Sequence, residues 1–380
     1  MIRLTKIALL APYNVYPART GGKKFIAFFH QYLAKELPVA FLSVKDNSLP
    51  EELQGSFHAI SGNSKLRYAN PLLFFRMKKF IREKEITDLV LVHPYFGWLA
   101  WMLKKATGVK LSILSHNIES IRFKSMGKWW WRLLWQYEKR THRIIDHNFF
   151  VTQEDMDFAI KNYQLSPASC SVITYGTELQ IAPSRDEKIS AAEKIRALYN
   201  ILPEEKILLF NGTLDYLPNI EAVKYIVDHI NPNLLKTGFR YKIIICGKGL
   251  PAEFNELKDQ AGSNIIYVGF VEDIDLFFKG ADIFLNPVIT GGGIKTKLVE
   301  ALGNGLTSVS SESGAFGVPA GITPGKLSIV KDHSWNAFTE AIISADISAE
   351  INTSFFNHFY WGNIAAKAAG ILTGRASTNK

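Results

Sequence analysis

A run of glycines in the second half of the chain is the feature best suited to chemistry: Gly291, Gly292 and Gly293. A short apolar segment precedes this run, and a helical pattern with Lys295 and Lys297 in its first turn follows it. Glycine lets a backbone approach a ligand closely, and a helix N-terminus offers free N–H groups and a positive dipole end. Lysines in a first turn disfavour the helix unless an anion lies there. The spacing therefore predicts an anion site that would suit a nucleotide diphosphate.

Glu300 lies further along the same predicted helix, on an otherwise apolar stretch. A buried carboxylate needs a partner, and the vicinal hydroxyls of a ribose would serve. A glycine-rich turn with solvated lysines and a Glu–Lys pair explains the same residues without a ligand, so both interpretations stay open. The G-x-x-x-x-G-K-[ST] spacing of a P-loop is absent from the sequence.

A second glycine pair, Gly21 and Gly22, follows the first predicted strand and a loop over residues 12–19. The order is again strand, small loop and helix. One such segment can be a simple turn. Two of them, one in each half of the chain, favour a ligand bound in a cleft between two domains at the carboxyl ends of their strands.

Short apolar segments alternate with amphipathic helices along the chain. Strands are predicted over residues 6–11, 39–44, 88–93, 110–115 and 147–152, and again over 206–212, 241–247, 264–269 and 282–287. Helices between them include residues 25–35, 219–230 and 295–304. Nearly continuous β-branched runs are typical of strands buried on both faces, as in parallel sheets. The alternation predicts α/β architecture with two Rossmann-like, doubly wound domains.

The length of 380 residues favours two domains. A polar segment with scattered glycine and proline, residues 174–205, separates the two strand series. We predict an N-terminal Rossmann-like domain over 1–185 and a C-terminal Rossmann-like domain over 186–360. A helix near 361–380 could pack back across the junction. Both cysteines, Cys170 and Cys246, lie in apolar stretches and are expected to be buried free thiols.

Several motifs occur together in one order along almost the whole chain. They are Gly21-Gly22, Ser115-His116-Asn117 with Glu119, Asn211-Gly212-Thr213 with Pro218-Asn219, Val268-Gly269-Phe270-Val271, and Pro287 leading to the glycine run, Lys295, Lys297 and Glu300-Ala301. As a set they resemble the retaining glycosyltransferases of family 4, whose two-domain fold is called GT-B.

The resemblance implies transfer of a sugar from a nucleotide-diphosphate donor to an acceptor hydroxyl, without a metal cofactor, in the synthesis of a cell-surface polysaccharide or glycoconjugate. It implies that Glu300 grips the ribose of the donor. Gly269, Phe270 and Val271 would receive the base. Gly22, Gly293 and the two lysines would meet the diphosphate, where preorganised donors stabilise a leaving group. The acceptor would be a glycan or a lipid-linked glycan.

Two positions depart from the family pattern. Gly292 stands where many relatives have the first glutamate of the E-x7-E motif, so no side chain can contact the donor sugar there. The family's Arg/Lys pair is also replaced, by the run from Leu214 to Leu217. We expect Lys295 or Lys297 to supply that charge instead.

Histidines at predicted strand ends are the candidates for proton chemistry. His116 matches a family histidine on the acceptor side, where it could bind the donor sugar or steer the acceptor proton. A capping role for the helix that follows is the alternative. His93 precedes Pro94 and fits a turn, and Glu119 fits a helix N-terminal charge.

Two D-x-D pairs, at Asp155 and Asp273, resemble a metal motif, but both are predicted where helices begin. Carboxylates in a first turn complement the helix dipole, and residues two apart on a helix point to different faces. We predict no metal ligand at either pair.

A basic stripe edged by tryptophan runs along the predicted helix over residues 120–145. Its members are Lys128, Trp129, Arg132, Lys139 and Arg143. It fits an anionic membrane surface as well as a solvated face above a core stripe of Trp130, Leu134, Tyr137, Thr141 and Ile144. No apolar run is long enough to span a bilayer. We therefore expect a cytoplasmic protein, peripheral at the inner face of the plasma membrane if the stripe binds lipid.

The net charge of +9 favours an anionic partner. A nucleic acid is not expected, because the sequence has no helix-turn-helix, zinc or RNP-like pattern. A non-catalytic protein that binds or senses a nucleotide sugar stays open as the alternative to a transferase, since Gly292 lacks a side chain. Sugar-nucleotide epimerisation is a further GT-B activity, without specific support in the sequence.

Overall fold

The computed structural model describes residues 5–260 and 264–374. The chain divides into two compact units. The first contains the residues up to Gly176 and those from Trp361 onwards, and the second runs from Thr177 to Tyr360. The boundary predicted at residue 185 falls on the first residue of a helix in the second unit.

The first unit is built on a parallel sheet of seven strands in the order β3-β2-β1-β4-β5-β6-β7. The strands are β1 (Ile7–Leu10), β2 (Val39–Val44), β3 (Phe57–Ser61), β4 (Asp88–Val92), β5 (Lys110–Ser115), β6 (His147–Phe150) and β7 (Cys170–Val172). The helices are α1 (Gly21–Glu36), α2 (Glu51–Gln54), α3 (Leu72–Glu83), α4 (Gly97–Thr107), α5 (Glu119–Ser125), α6 (Trp131–Ile144) and α7 (Gln153–Tyr163). Strands β1 and β4 are neighbours in space but not in sequence, so the strand order reverses between them.

The second unit is built on a parallel sheet of six strands in the order β10-β9-β8-β11-β12-β13. The strands are β8 (Lys206–Asn211), β9 (Tyr241–Cys246), β10 (Ile265–Gly269), β11 (Ile283–Asn286), β12 (Thr307–Ser311) and β13 (Leu327–Val330). The helices are α8 (Arg185–Tyr199), α9 (Leu217–Tyr225), α10 (Asn231–Leu235), α11 (Ile274–Gly280), α12 (Thr296–Gly303), α13 (Trp335–Ile343) and α14 (Thr353–Phe359). Here the order reverses between β8 and β11. Ligands of open α/β sheets bind outside the carboxyl ends of the strands at such reversal points.

The last helix, α15 (Trp361–Leu372), belongs to the first unit. Its buried indole, Trp361, has ring centroids of Phe25, Phe28 and Tyr175 within 5.4, 5.9 and 5.6 Å. The end of the range predicted for this helix, residues 375–380, lies outside the described residues.

The predicted fold class is confirmed: both sheets are parallel and flanked by helices. Each predicted strand occurs. The apolar runs that predicted them, such as Leu208–Phe210 and Ile243–Ile245, are fully buried in the sheets. Both cysteines are free and buried. Four strands have no counterpart in the prediction: β3, β7, β12 and β13. Strand β12 is mostly serine and threonine, and it is buried because hydroxyls such as that of Ser310 bond to the neighbouring backbone.

The single helix predicted over residues 120–145 is wrong. The chain breaks between α5 and α6, where Gly127 has a φ of +68° that a helix does not permit. The predicted core stripe of this segment is also wrong in part. The buried residues of α6 are the polar Glu138, Thr141 and His142, and each makes at least one hydrogen bond inside the unit.

Candidate functional site

In the second unit, the glycine loop (residues 291–293) leads from β11 into α12. Gly291 and Gly293 have φ angles of +84° and +71°, in the left-handed region that favours glycine. Lys295 precedes the first turn of α12, and its Nζ donates to the carbonyls of Gly291 at 2.9 Å and Gly293 at 3.1 Å. The hydrogen bonds from Lys295 thus hold both ends of the loop together, and Gly292 is exposed at its tip.

Lys297 reaches from α12 to the carboxyl end of β8. Its Nζ donates to the carbonyl of Asn211 at 2.9 Å and to Asn219 Oδ1 at 2.6 Å, and it lies 4.7 Å from the centre of the Phe210 ring. Burial lowers the pKa of Lys297 to about 7; the charge of Lys295 lowers it further and Glu300 opposes the shift. Among the described residues, no carboxylate comes within ion-pair distance of this ammonium.

Gly212 forms the wall beside this lysine. A Cβ at Gly212 would come within 2.8 Å of both Lys297 Nζ and Asn219 Nδ2, so a larger residue would displace these two side chains. A Cβ at Gly247, at the end of β9, would lie 1.8 Å from the Gly212 carbonyl oxygen. The backbone at Gly212 therefore lies close to both the Lys297 ammonium and the end of β9.

The loop after β8 lies against the glycine loop. A Cβ at Gly291 would come within 3.0 Å of Pro218 Cγ and 3.1 Å of the Tyr216 hydroxyl oxygen. The segment that replaces the expected basic pair thus supports the glycine loop. The structure brings Gly212, Lys297, Lys295 and the glycine loop together where the strand order reverses.

The predicted base-binding segment lies on the same edge of the sheet, two strands away from β8. Gly269 ends β10 with a φ of +76°, and its carbonyl accepts from the Gly247 amide at 2.7 Å. Phe270 is 68% exposed, which is unusual for phenylalanine, and Val271 is half-buried. Glu300 is half-buried on α12, one turn beyond Lys297.

In the first unit, Gly21 and Gly22 are the first residues of α1. The residue before them, Thr20, makes no side-chain capping bond, and the first turn contains no acidic residue. A Cβ at Gly22 would lie 3.9 Å from His116 Nδ1. The helix N-terminus and the predicted histidine therefore share one location.

His116 follows β5 and is only 8% exposed. Its ring lies 4.5 Å from those of Phe25 and His93. Nε2 is buried and has no hydrogen-bond partner in the described part of the chain. Burial holds the pKa of His116 well below its usual range, and His93 adds to that shift. The imidazole is therefore neutral, and its Nε2 is a buried polar atom without a partner in this part of the chain.

The alternative interpretation of His116 as a helix cap is wrong. The residue before α5 is Ile118, and no side chain at that position caps the helix. The first two amides of α5 donate instead to Glu138 from α6, from Glu119 at 2.8 Å and Ser120 at 2.9 Å.

His93 lies at a turn before Pro94 and Glu119 lies in the first turn of α5, as predicted. Both side chains also belong to a buried polar cluster that was not predicted. Glu119 is 1% exposed and accepts from Tyr95 Oη at 2.5 Å and Arg122 Nη2 at 2.6 Å. His93 Nε2 lies 2.9 Å from Tyr13 Oη. The E-x-x-R spacing after β5 was the available signal, since residues three apart on a helix are neighbours.

Neither D-x-D pair gathers ligands. Asp273 caps α11 through a bond from the Leu276 amide at 3.1 Å, and Asp155 lies in the first turn of α7. Within residues 5–260 and 264–374, no three histidine, cysteine or acidic side chains cluster as a metal site would require.

The basic stripe is only partly a surface feature. Lys128, Arg132 and Arg143 are exposed, and Trp129 is 82% exposed. Lys139 is turned inwards, because its Nζ donates to the Asn162 carbonyl at 3.0 Å and lies over the Trp135 ring. In the described ranges, no helix combines the length and the apolar character needed to cross a bilayer.

Comparison with known proteins identifies the class. The family profile described as Glycosyltransferase Family 4 matches residues 19–181, and the one described as Glycosyl transferases group 1 matches residues 205–345. Sequence, sheets and loops therefore define a glycosyltransferase of the GT-B fold. The chain belongs to the group 1 glycosyltransferases of family 4.

Solved structures with the same fold cover the chain almost completely. Sucrose-phosphate synthase from Thermosynechococcus elongatus has a TM-score of 0.74 at 16% identity, over 99% of this chain and 100% of that chain. Anabaena HepE, solved in complex with UDP, has a TM-score of 0.72 at 13% identity, over 97% and 100%. A glycosyltransferase from Rickettsia africae has a TM-score of 0.71 at 14% identity, over 99% and 100%.

A curated relative is similar over a shorter range. It is an uncharacterized 44.6 kDa protein in the cps region of Klebsiella pneumoniae, 28% identical over 116 residues. The match covers 29% of this chain and 30% of that relative.

Proposed function

We propose that this protein transfers a sugar from a nucleotide-diphosphate sugar to an acceptor hydroxyl. The observation that carries the proposal is the ammonium of Lys297, enclosed at the end of β8 without a carboxylate in ion-pair distance among the described residues. A buried cation needs a counter-charge. The diphosphate of a donor, bound by Lys297, Lys295 and the amides of the glycine loop, would supply it.

We assign the remaining donor contacts by position. Glu300 would bind the ribose hydroxyls, and the exposed Phe270 with Gly269 and Val271 would receive the base. The glycine at position 292 leaves backbone amides to face the donor sugar. The charge on the leaving diphosphate would be met by lysine and helix dipole, so the proposed mechanism needs no metal ion. Retention of the anomeric configuration is proposed from the family resemblance.

The acceptor hydroxyl is assigned to the first unit. His116 is neutral and buried and has an unused ring nitrogen in the described part of the chain, which suits a hydrogen bond to a sugar hydroxyl. Anabaena HepE was solved with UDP-glucose, and other structures with this fold are named for lipopolysaccharide synthesis. These names support a hexosyl donor and a role in a cell-surface polysaccharide or glycoconjugate.

A thermal-shift panel of UDP-, GDP-, ADP- and TDP-sugars tests the donor assignment. Preferential binding raises the melting temperature, by an amount that reports affinity. We expect one nucleotide series to raise it and the others to have little effect. No shift with any of them at millimolar concentration would overturn the proposal.

A sensor that binds the nucleotide sugar without reacting is the second candidate, favoured by the missing glutamate at Gly292. Hydrolysis of the bound donor in the absence of an acceptor separates the two. A transferase slowly transfers the donor sugar to water, whereas a sensor leaves the donor intact through a long incubation.

We also propose that the N-terminal end of α6, together with the residues just before it, binds an anionic membrane surface. Trp129 and Leu133 are 82% and 68% exposed beside Lys128 and Arg132, which combines apolar anchors with positive charge. Such a contact would place the protein at the inner face of the plasma membrane, near a lipid-linked acceptor.

Co-sedimentation with vesicles that contain phosphatidylglycerol tests the membrane proposal. Trp129→Ser with Leu133→Ser should reduce the bound fraction severalfold. Leu198→Ser with Leu202→Ser, at positions 64% and 54% exposed in the second unit, is the matched control. Equal binding by both double variants, or no dependence on anionic lipid, would refute the contact.

A further inference from the structure

Four side chains of the first unit form a polar chain at the carboxyl ends of β1, β4 and β5: Tyr13, His93, Glu119 and Arg122. Tyr13 lies in the loop between β1 and α1, His93 directly follows β4, and the other two lie in α5. The first three thus meet near the point where the strand order reverses. The proposed function does not use them.

Glu119 is the fixed end of this chain. Its Oε2 accepts from Tyr95 Oη at 2.5 Å and from Arg122 Nη2 at 2.6 Å. Burial by itself would raise the pKa of Glu119, but the contacts with His93 and Arg122 hold it well below its usual range. Its own amide is held by Glu138 at 2.8 Å. A charged and immobile carboxylate therefore faces His93.

The carboxylate favours one tautomer of His93, whose Nδ1 is buried and makes no hydrogen bond within the described residues. Glu119 Oε1 lies 3.5 Å from His93 Nδ1, an electrostatic contact somewhat longer than a hydrogen bond. A carboxylate is only an acceptor, so it favours the proton on Nδ1 and leaves Nε2 as an acceptor. His93 also has a φ of +65°, a backbone strain of the kind that persists at functional sites.

Tyr13 is the free end of the chain. Its Oη lies 2.9 Å from His93 Nε2, and burial raises its pKa, so the phenol keeps its proton. With Nε2 as the acceptor, the phenol donates its hydrogen to the imidazole, and only lone pairs on Oη are left for a further partner. The Tyr13 carbonyl accepts from Ser43 Oγ at 2.8 Å, which fixes the loop.

We propose that Tyr13 Oη binds the attacking hydroxyl of the acceptor, and that Glu119 is a positioning residue that orients Tyr13 through His93. This inference rests on the proposed transferase function. An oxygen that offers only lone pairs suits a ligand that donates a hydrogen, which a sugar hydroxyl or water does and a diphosphate does not. The site is thus distinct in chemistry from the donor site and complements His116.

Donor hydrolysis, with water as the hydroxyl that reacts, tests the role of Tyr13. The donor is the sugar nucleotide with the largest thermal shift. Tyr13→Phe keeps the ring and removes one hydrogen-bonding oxygen, so kcat for hydrolysis should fall by roughly tenfold. The donor KM and the donor-induced thermal shift should not change. Unchanged kcat in this variant would overturn the proposal.

The positioning role is tested by Glu119→Gln alone and together with Tyr13→Phe. We expect the double variant to fall no further than Tyr13→Phe alone, because both changes remove the same interaction. Additive losses would show that Glu119 acts by another route.

Tyr16→Phe is the matched control for Tyr13→Phe. Tyr16 Oη lies 2.9 Å from His30 Nδ1 in a second phenol–imidazole pair of this unit, and removal of this hydroxyl should leave kcat unchanged.

Nitrogen-15 NMR of the imidazoles tests the relay, meaning the contacts from Glu119 through His93 to Tyr13, without any enzymatic turnover. His93 should be protonated on Nδ1 in the unaltered protein and should lose that preference in Glu119→Gln. Protonation on Nε2 in the unaltered protein would overturn the relay. If the unaltered protein neither binds nor hydrolyses a sugar nucleotide, the proposed transferase function is refuted. The His93 tautomer measured by NMR still shows, independently of that result, whether Glu119 orients Tyr13 through His93.

Discussion

At the scale of single residues, Lys297 carries most of the argument for an anionic ligand. Among the described residues, its ammonium is bound by neutral groups, the Asn211 carbonyl and Asn219 Oδ1, and by the face of the Phe210 ring. Neutral acceptors compensate burial less well than a carboxylate does, so the charged form of Lys297 is disfavoured. A bound diphosphate would reverse that preference.

Binding of a sugar nucleotide is therefore expected to take up a proton near neutral pH. Burial lowers the pKa of Lys297 to about 7 in the free protein, and a nearby dianion raises it. Above pH 7 the lysine must gain a proton to bind, so affinity should fall as pH rises, by up to tenfold per pH unit. Titration calorimetry at pH 8 in two buffers of different ionisation enthalpy measures the uptake.

Two lysine variants show whether the proton goes to this residue. Lys297→Met should abolish the uptake and weaken binding. Lys326→Met is the control, because burial also lowers the pKa of Lys326, to about 8, but this lysine bonds to Thr307 at the start of β12. Proton uptake that survives in Lys297→Met would contradict the assignment.

At the scale of elements, α5 is placed by a side chain from another helix. Glu138 of α6 accepts from the amides of Glu119 and Ser120 and from Tyr163 Oη at 2.9 Å. A helix begins with amides that lack partners inside the helix, and here one carboxylate satisfies two of them. The position of Glu119 against His93 follows from this contact between helices.

Glu138→Ala should lower the free energy of unfolding by about 2–4 kcal/mol, because it leaves buried donors unpaired. It should also reduce donor hydrolysis, since Glu119 loses its anchor. Circular dichroism during thermal unfolding measures the first effect. Gln136→Ala, at an exposed position of the same helix, is the control, and equal destabilisation by the two variants would refute the capping role.

At the scale of the whole molecule, the chain forms one unit, then the other, and returns to the first. The return begins at Trp361, which is completely buried among Phe25, Phe28 and Tyr175. Helix α15 therefore contributes to the core of the first unit although the second unit separates them in sequence. Loss of the indole should affect only the first unit.

Trp361→Ala should destabilise the first unit by about 3–5 kcal/mol, the usual effect of removing a large buried aromatic side chain. Calorimetry should then show that the first unit unfolds at a lower temperature. The second unit, whose melting temperature a sugar nucleotide is expected to raise, should unfold at the same temperature as before. Trp335→Ala, in the second unit, is expected to show the reverse pattern. A sugar-nucleotide response lost in Trp361→Ala would contradict this division.

The class of fold and the positions of the glycine-rich turns after strands follow from the amino-acid sequence alone. Continuous apolar runs such as Ile243–Ile245 identify buried parallel strands, and the order of Gly22, His116, Gly212 and the glycine loop is that of the family. These signals are local, because strand burial and turn conformation depend on neighbouring residues. The serine-rich β12 left no such signal, since its polarity is satisfied only within the sheet.

Which of these residues come into contact depends on the packing of distant parts of the chain. Lys297 and the Asn211 carbonyl are 86 positions apart, and Tyr13 and His93 are 80 apart, so no local pattern pairs them. Their contacts arise from the strand order, which places β1 beside β4 and β8 beside β11. The burial that lowers the pKa of Lys297 and the contacts with His93 and Arg122 that keep Glu119 charged are likewise properties of the packed chain.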